Sequence, residues 1–430
     1  MAVCYLLAAT AAAAAATPPV LTYSPVAVPS SAQLKPTCAT RGLGAVVRGI
    51  FYFAPGPGDA PEIVSYDPKN STWGSIDVAG AGSGVMRSIA GATMAGVAAV
   101  QPGIHDFLVF AGGEGSNVVT QFDLTSRVWS LQKSRLSHVT QNLCSSGCLG
   151  YAIFATGDFK KAADAVDASF KPSDRQIQRY NLTSGQMEEN NMEKTRAGAV
   201  CACYEGVSTP TGSPVPGGSR VFFAGGQDDA GATDSVEMWL PAPNIKRRGE
   251  PEFSMSFSGR DRGGLVCGGH LVLAGGRGIK KVEAEHSKRR RRLSSQRRRP
   301  PAPKPGKAEL QSYVDVWLAN ETGPVTSDAH GSPGVKPKAV YHLSAAVAIP
   351  QVVCLADRYI VILGGHPAKG GCVSTAMHVL DLQQPPATGS TLPLLPYTLN
   401  SSASTFTALS FGDTAMVYDG ATAAQLKVTA

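Results

Sequence analysis

Seven arginines stand close together, with no carboxylate among them, in SKRRRRLSSQRRRPPAPKPG from Ser287 to Gly306. They are Arg289, Arg290, Arg291 and Arg292, then Arg297, Arg298 and Arg299. Guanidinium groups take phosphates and carboxylates in bidentate fashion, so a nucleic acid, a polyanionic glycan or an acidic protein partner would each suit this segment. The stretch holds no aromatic side chain to stack on bases, which argues against sequence-specific recognition of single strands. Its basic runs also have the form of a nuclear-localisation patch, and Arg291-Arg292-Leu293-Ser294 suits a basophilic kinase, with Ser294 as acceptor. In a secretory compartment the same four arginines would invite a convertase. The plain alternative is a disordered charged loop with no dedicated partner.

Other reactive side chains are scattered. His366 follows Gly364-Gly365 into a loop and is the best single candidate for a site histidine, but the eight histidines show no spacing that singles out a pair. No G-x-S-x-G, P-loop or H-E-x-x-H occurs, so the sequence nominates no catalytic residue, metal ligand or cofactor. Cys144-x3-Cys148 and Cys201-x-Cys203 are open to metal or disulfide chemistry, yet neither has paired zinc-site spacing. Most cysteines stand in small-residue strand segments (AVCAC, GLVCGG, QVVCLA), where the expectation is buried free thiols. Asn70, Asn181, Asn320 and Asn400 open glycosylation sequons.

Charge is localised rather than general. The formal net charge is +7, but Lys280 to Lys307 holds twelve Lys or Arg against Glu283 and Glu285, so the remainder of the chain is slightly acidic. Residues 1–17 are apolar or small and read as a signal-like or low-complexity leader, pointing to the secretory pathway, with an organellar or a cytoplasmic and nuclear location as alternatives. No segment has the length and hydrophobicity of a confident membrane span.

The elements that must carry these groups repeat. FLVFAGG (Phe107 to Gly113), RVFFAGG (Arg220 to Gly226), HLVLAGG (His270 to Gly276) and YIVILGG (Tyr359 to Gly365) share one pattern, and IFYFAPG, YAIFATG and TAMVYDG are weaker copies. Each apolar run reads as a buried strand, left through glycines whose backbone can adopt conformations that a Cβ forbids. A small-residue strand precedes each run, and most are followed by a strand with an aromatic or Leu near its end and then turn chemistry leading to a fourth strand.

This succession resembles the kelch repeat over nearly the whole chain beyond the leader. The family's glycine pair stands at Gly112-Gly113, Gly225-Gly226, Gly275-Gly276 and Gly364-Gly365, and its aromatic pair is partly met by Tyr66/Trp73 and Phe122/Trp129. Blades one, three and seven lack the full glycine pair, and Met187 replaces the tryptophan of blade three. The resemblance implies an all-β propeller over residues 20–430, with seven four-stranded blades and 279–311 as a basic insertion in blade five. Residues near Leu21 to Val26 are expected to complete the seventh blade by pairing with the C-terminal strands. The chain is expected to be a monomer.

In this topology the loops between second and third strands emerge on one face, and the large insertions of blades three and five fall there. The expected function is therefore non-catalytic protein binding or scaffolding, with the partner unknown. Alternatives are polyanion binding through the arginines, or an extracellular oxidoreductase or glycan-active enzyme. For the latter the resemblance extends to galactose oxidase, whose copper site needs His, Tyr and a modified Cys that cannot be matched to this chain.

Overall fold

The structure, a computed structural model, describes residues 20–33, 43–54, 62–78, 92–99, 104–112, 116–136, 143–155, 176–192, 198–205, 219–228, 231–232, 234–239, 253–256, 258–279, 309–319, 336–366, 374–397 and 406–429. These residues form a seven-bladed β-propeller of small antiparallel sheets. The first strands of the blades are Leu43–Val47, Thr93–Val97, Cys144–Cys148, Val200–Tyr204, Gly263–Cys267, Gln351–Leu355 and Thr407–Phe411. Each lies against the first strand of the next blade, and the last lies against the first, so these seven strands line the centre of a closed ring.

That convergence explains their small residues. A Cβ on Gly147 would lie 1.9 Å from the Gly96 carbonyl oxygen of the neighbouring blade, and one on Gly263 would lie 2.2 Å from the Pro350 carbonyl oxygen. Second strands face the opposite demand. In all seven blades at least four of their five residues are buried, because neighbouring blades cover both faces. The hydrophobic core is accordingly divided into seven clusters, one between each pair of adjacent blades.

The glycine pairs end these strands as expected. Gly225, Gly226, Gly275, Gly276, Gly364 and Gly365 all have positive φ, as does Gly112, while Gly113 lies outside the described residues. The first glycine NH of each pair donates to a carbonyl in or beside the third strand: Gly112 to Val118, Gly225 to Ser235, Gly275 to Tyr313 and Gly364 to Ala376. Left-handed backbone is thus tied to a hydrogen bond that recurs in four blades.

The aromatic pairs are cross-strand neighbours of third and fourth strands. Tyr66 faces Trp73 and Phe122 faces Trp129, each pair with ring centroids 4.8 Å apart. Each indole also bonds to the preceding blade, Trp73 Nε1 to Ala27 O at 2.9 Å and Trp129 Nε1 to Asp77 O at 3.1 Å. Met187 holds the same register position opposite Tyr180 but has no donor; there the neighbouring blade supplies the bond, Ser134 Oγ donating to Gly185 O at 2.9 Å.

The ring closes as the sequence implied. Val20–Val26 pairs antiparallel with Ala423–Thr429, from Val20 opposite Thr429 to Val26 opposite Ala423, forming the outer strand of blade seven. Blade six departs from four regular strands. It has three, and its outer position is taken by 391–395, which makes only isolated bonds such as Val379 NH to Pro393 O and Leu395 NH to Met377 O. Pro393 and Pro396 have no NH to give, so a regular ladder cannot form there.

The free-thiol expectation is overturned for six cysteines. Cys144–Cys201 and Cys148–Cys203 join the first strands of blades three and four, and Cys267–Cys354 joins those of blades five and six. Their Cα atoms are 5.4, 5.9 and 5.5 Å apart, within ordinary bridging reach. The reason is the ring itself: residues 55 to 87 positions apart in sequence become lateral neighbours where first strands converge. Cys38 and Cys372 lie outside the described residues. Among the described residues, no helix is long and apolar enough to cross a membrane.

Candidate partner-binding face

Second-to-third-strand loops and blade-to-blade connections share one face, and in blades four to six this face carries added structure. Blade four contributes a short hairpin of Gln227–Asp228 with Gly231–Ala232. Beside it lies a three-stranded sheet: Ser258–Arg260 from the connection between blades four and five, then Arg277–Ile279 and Glu309–Leu310 from blade five. The last two are the two ends of the chain that enters and leaves the arginine-rich segment, with Arg277 opposite Leu310 and Gly278 opposite Glu309. Arg289, Arg290, Arg291, Arg292, Ser294, Arg297, Arg298 and Arg299 lie outside the described residues. Residues 279 and 309–311, expected within the insertion, belong to this base or adjoin it.

Gln311 clamps the two feet together. Its buried side-chain amide donates to Gly278 O at 3.3 Å and to Glu309 O at 3.2 Å, and its NH donates to Gly276 O at 2.9 Å. The third strand, Ser258–Arg260, is held from below. Asp315, fully buried on the third strand of blade five, accepts from Ser256 NH at 3.3 Å, from Ser256 Oγ, and from Arg262 Nη1 at 3.0 Å. A single carboxylate therefore fastens both ends of the loop that carries this strand. Burial pulls the Arg262 guanidinium below its ordinary range, and the charge and hydrogen bond of Asp315 oppose that shift. In the sequence Asp315 stands out as the lone charge in the otherwise uncharged strand YVDVWL.

His366 lies at the edge of this platform. Its NH donates to Ala348 O at 2.7 Å and its carbonyl accepts from Ala348 NH at 3.0 Å, fixing it against the connection between blades five and six. Partial burial, and then the charge of Arg277, lower its pKa, so the imidazole is neutral near pH 7. Arg277 in turn approaches Asp261, Nε to Oδ2 3.8 Å. The structure thus brings His366, Arg277 and Asp261 to one region. A second histidine, His378, is buried and kept neutral by that burial; its Nε2 accepts from Ser344 NH at 2.9 Å, with the Ser344 hydroxyl at the same distance. This contact anchors the same blade-five-to-six connection. Among the described residues no group of three or more His, Cys, Asp or Glu side chains is placed to hold a metal ion.

The opposite face is built from turns. Asp67, Asp123, Asn181 and Asp381 each accept backbone NH groups at the start of a third-to-fourth-strand turn. Asn181, read as a sequon, thus occupies the turn position that Asp fills in other blades. Asn70 is exposed in the turn after Asp67, its side-chain amide donating to Asp67 Oδ2 at 2.7 Å; Asn320 and Asn400 lie outside the described residues. Although burial opposes it, hydrogen bonds from His105 and from the Ser126 and Thr125 NH groups hold the Asp123 carboxyl down at about 2.

No protein-family model matches this chain, and no curated protein matches it. Among solved structures the chain is similar to YjhT, with a TM-score of 0.50 over 84% of this chain and 99% of that one, at 15% identity. At that identity the likeness is one of fold.

Proposed function

We propose that this chain is a kelch-type propeller acting as a non-catalytic binding module in an oxidising, secretory compartment, with its partner surface on the platform of blades four to six. The observation that carries this reading is the three-stranded sheet on that face. It is extra to the propeller, it is fastened by Asp315 and Gln311, and it holds both ends of the basic segment at one place. Rigid platforms bearing long loops are where partner contacts concentrate. Three disulfides support the compartment.

A second reading, polyanion binding, is favoured by the charge distribution: twelve basic residues concentrate between 280 and 307 in an otherwise slightly acidic chain. Replacing 280–308 by a short Gly-Ser link separates the two readings. Loss of salt-sensitive retention on a heparin resin, with binding of a protein partner kept, assigns the arginines to polyanions alone. Unchanged retention removes the polyanion reading. Stoichiometric copper in the purified protein would overturn the non-catalytic reading itself.

A further inference from the structure

Two sequons fall among the described residues, and the fold places them differently. Asn181-Leu182-Thr183 begins inside a sheet. Asn181 is the last residue of its third strand and is paired on both sides, with Tyr151 and with Gln186. Its side-chain oxygen accepts from the Thr183 and Ser184 NH groups, and Leu182 packs against the core between blades two and three. Asn70-Ser71-Thr72 instead follows the third strand of blade one, Glu62–Asp67, and leads into the fourth, Thr72–Asp77. All three of these residues are exposed. Here Asp67, not the asparagine, holds the turn: its carboxylate accepts from the Lys69 NH at 2.9 Å and from Asn70 Nδ2 at 2.7 Å. A side-chain amide nitrogen has two hydrogens, so a sugar can replace one on Asn70 Nδ2 while the other keeps the bond to Asp67.

We propose that Asn70 is a modification site carrying an N-linked oligosaccharide, transferred from a lipid-diphosphate donor by a membrane-bound oligosaccharyltransferase. In the transfer Asn70 Nδ2 forms a bond to C1 of the first sugar. The bond from C1 to the diphosphate oxygen breaks, the lipid diphosphate leaves with the electron pair, and the proton lost from Nδ2 passes to solvent. Thr72 supplies the hydroxyl that such enzymes require two residues after the asparagine, and it is exposed beside it. The three disulfides point, independently of the sequon, to the compartment where this transfer takes place. A bulky, solubilising glycan at Asn70 stands on the face of third-to-fourth-strand turns, opposite the platform, and leaves the proposed partner surface clear. The inference rests on the secretory compartment proposed above, and not on what the platform binds.

The test is expression of the full chain in a eukaryotic secretory host, followed by glycan removal in heavy-oxygen water with an amidase that converts the linked asparagine to aspartate, and by peptide mass mapping. The expected result is isotope-marked aspartate at position 70 and a faster-running band after glycan removal. Thr72→Ala, which keeps Asn70 and its bond to Asp67, should abolish the mark at position 70, and Thr72→Ser should retain it. If Thr72→Ala fails to fold, Asn70→Gln gives the same readout as loss of the band shift contributed by this site. Secreted protein with all three disulfides formed and Asn70 unmodified overturns the site and leaves the compartment reading standing. A mark at Asn181 without one at Asn70 overturns it equally. Protein retained in the cytosol with reduced thiols overturns the compartment reading, and this inference with it.

Discussion

At the scale of single residues, several positions in the ring have a geometry that permits one residue type. Gly147 is the sharpest case. An alanine there would put its Cβ 1.9 Å from the Gly96 backbone oxygen of the preceding blade, so the two first strands must separate. Gly147→Ala should therefore lower stability by about 1 to 3 kcal/mol, or more if the strand pair cannot yield, read as a drop in thermal midpoint. Asp123 gives a pH signature. Its folded pKa of about 2 lies below the ordinary carboxylate value, so the stability it confers is complete above pH ~4 and is lost as pH falls towards 2. Asp123→Asn keeps the turn acceptor, as Asn181 shows, but removes the charge. Unfolding free energy should fall by roughly 1 kcal/mol near pH 6, with the difference from wild type vanishing near pH 2. A difference independent of pH would contradict the charge assignment.

At the scale of elements, the platform depends on a buried carboxylate rather than on its own short ladders. Removing Asp315 takes away the carboxylate that accepts from the buried Arg262 guanidinium and releases both ends of the loop that carries Ser258–Arg260. Asp315→Ala should cost about 3 to 5 kcal/mol, measured by chemical unfolding, with loss of protection of the Gly259 and Gly278 amides in hydrogen exchange before global opening. Loss of amide protection only together with the whole blade would contradict a separate platform. Much of the blade pattern was legible in the sequence because it is local and periodic. Continuous apolar runs, glycine pairs and Asp or Asn turns each report a neighbour within a few residues. The platform was not legible, since strands of two or three residues carry no period and Asp315 acts on residues more than fifty positions away. Cysteine pairing escaped for the same reason: nothing near Cys144 in the sequence indicates Cys201.

At the scale of the whole molecule, the ring is closed by joining residues 20–26 to 423–429. The clasp is a long antiparallel pairing, reinforced by Tyr418 Oη donating to Ala32 O at 2.5 Å and by Tyr397 Oη donating to Leu21 O at 3.2 Å. A chain beginning after Ser30 or ending before Ser402 loses a whole strand or a whole blade, and should express poorly or melt at lower temperature. An unchanged thermal midpoint in either would contradict closure by the clasp. The central claim is that partners meet the face bearing the platform. It is tested most directly by placing a photo-crosslinking side chain at Arg277 or at exposed Ala345 on that face, or at exposed Lys69 on the opposite one, in protein returned to its native source. Specific adducts from the first two positions and none from Lys69 are predicted. Adducts from Lys69 alone, or equally from all three, would contradict the assignment.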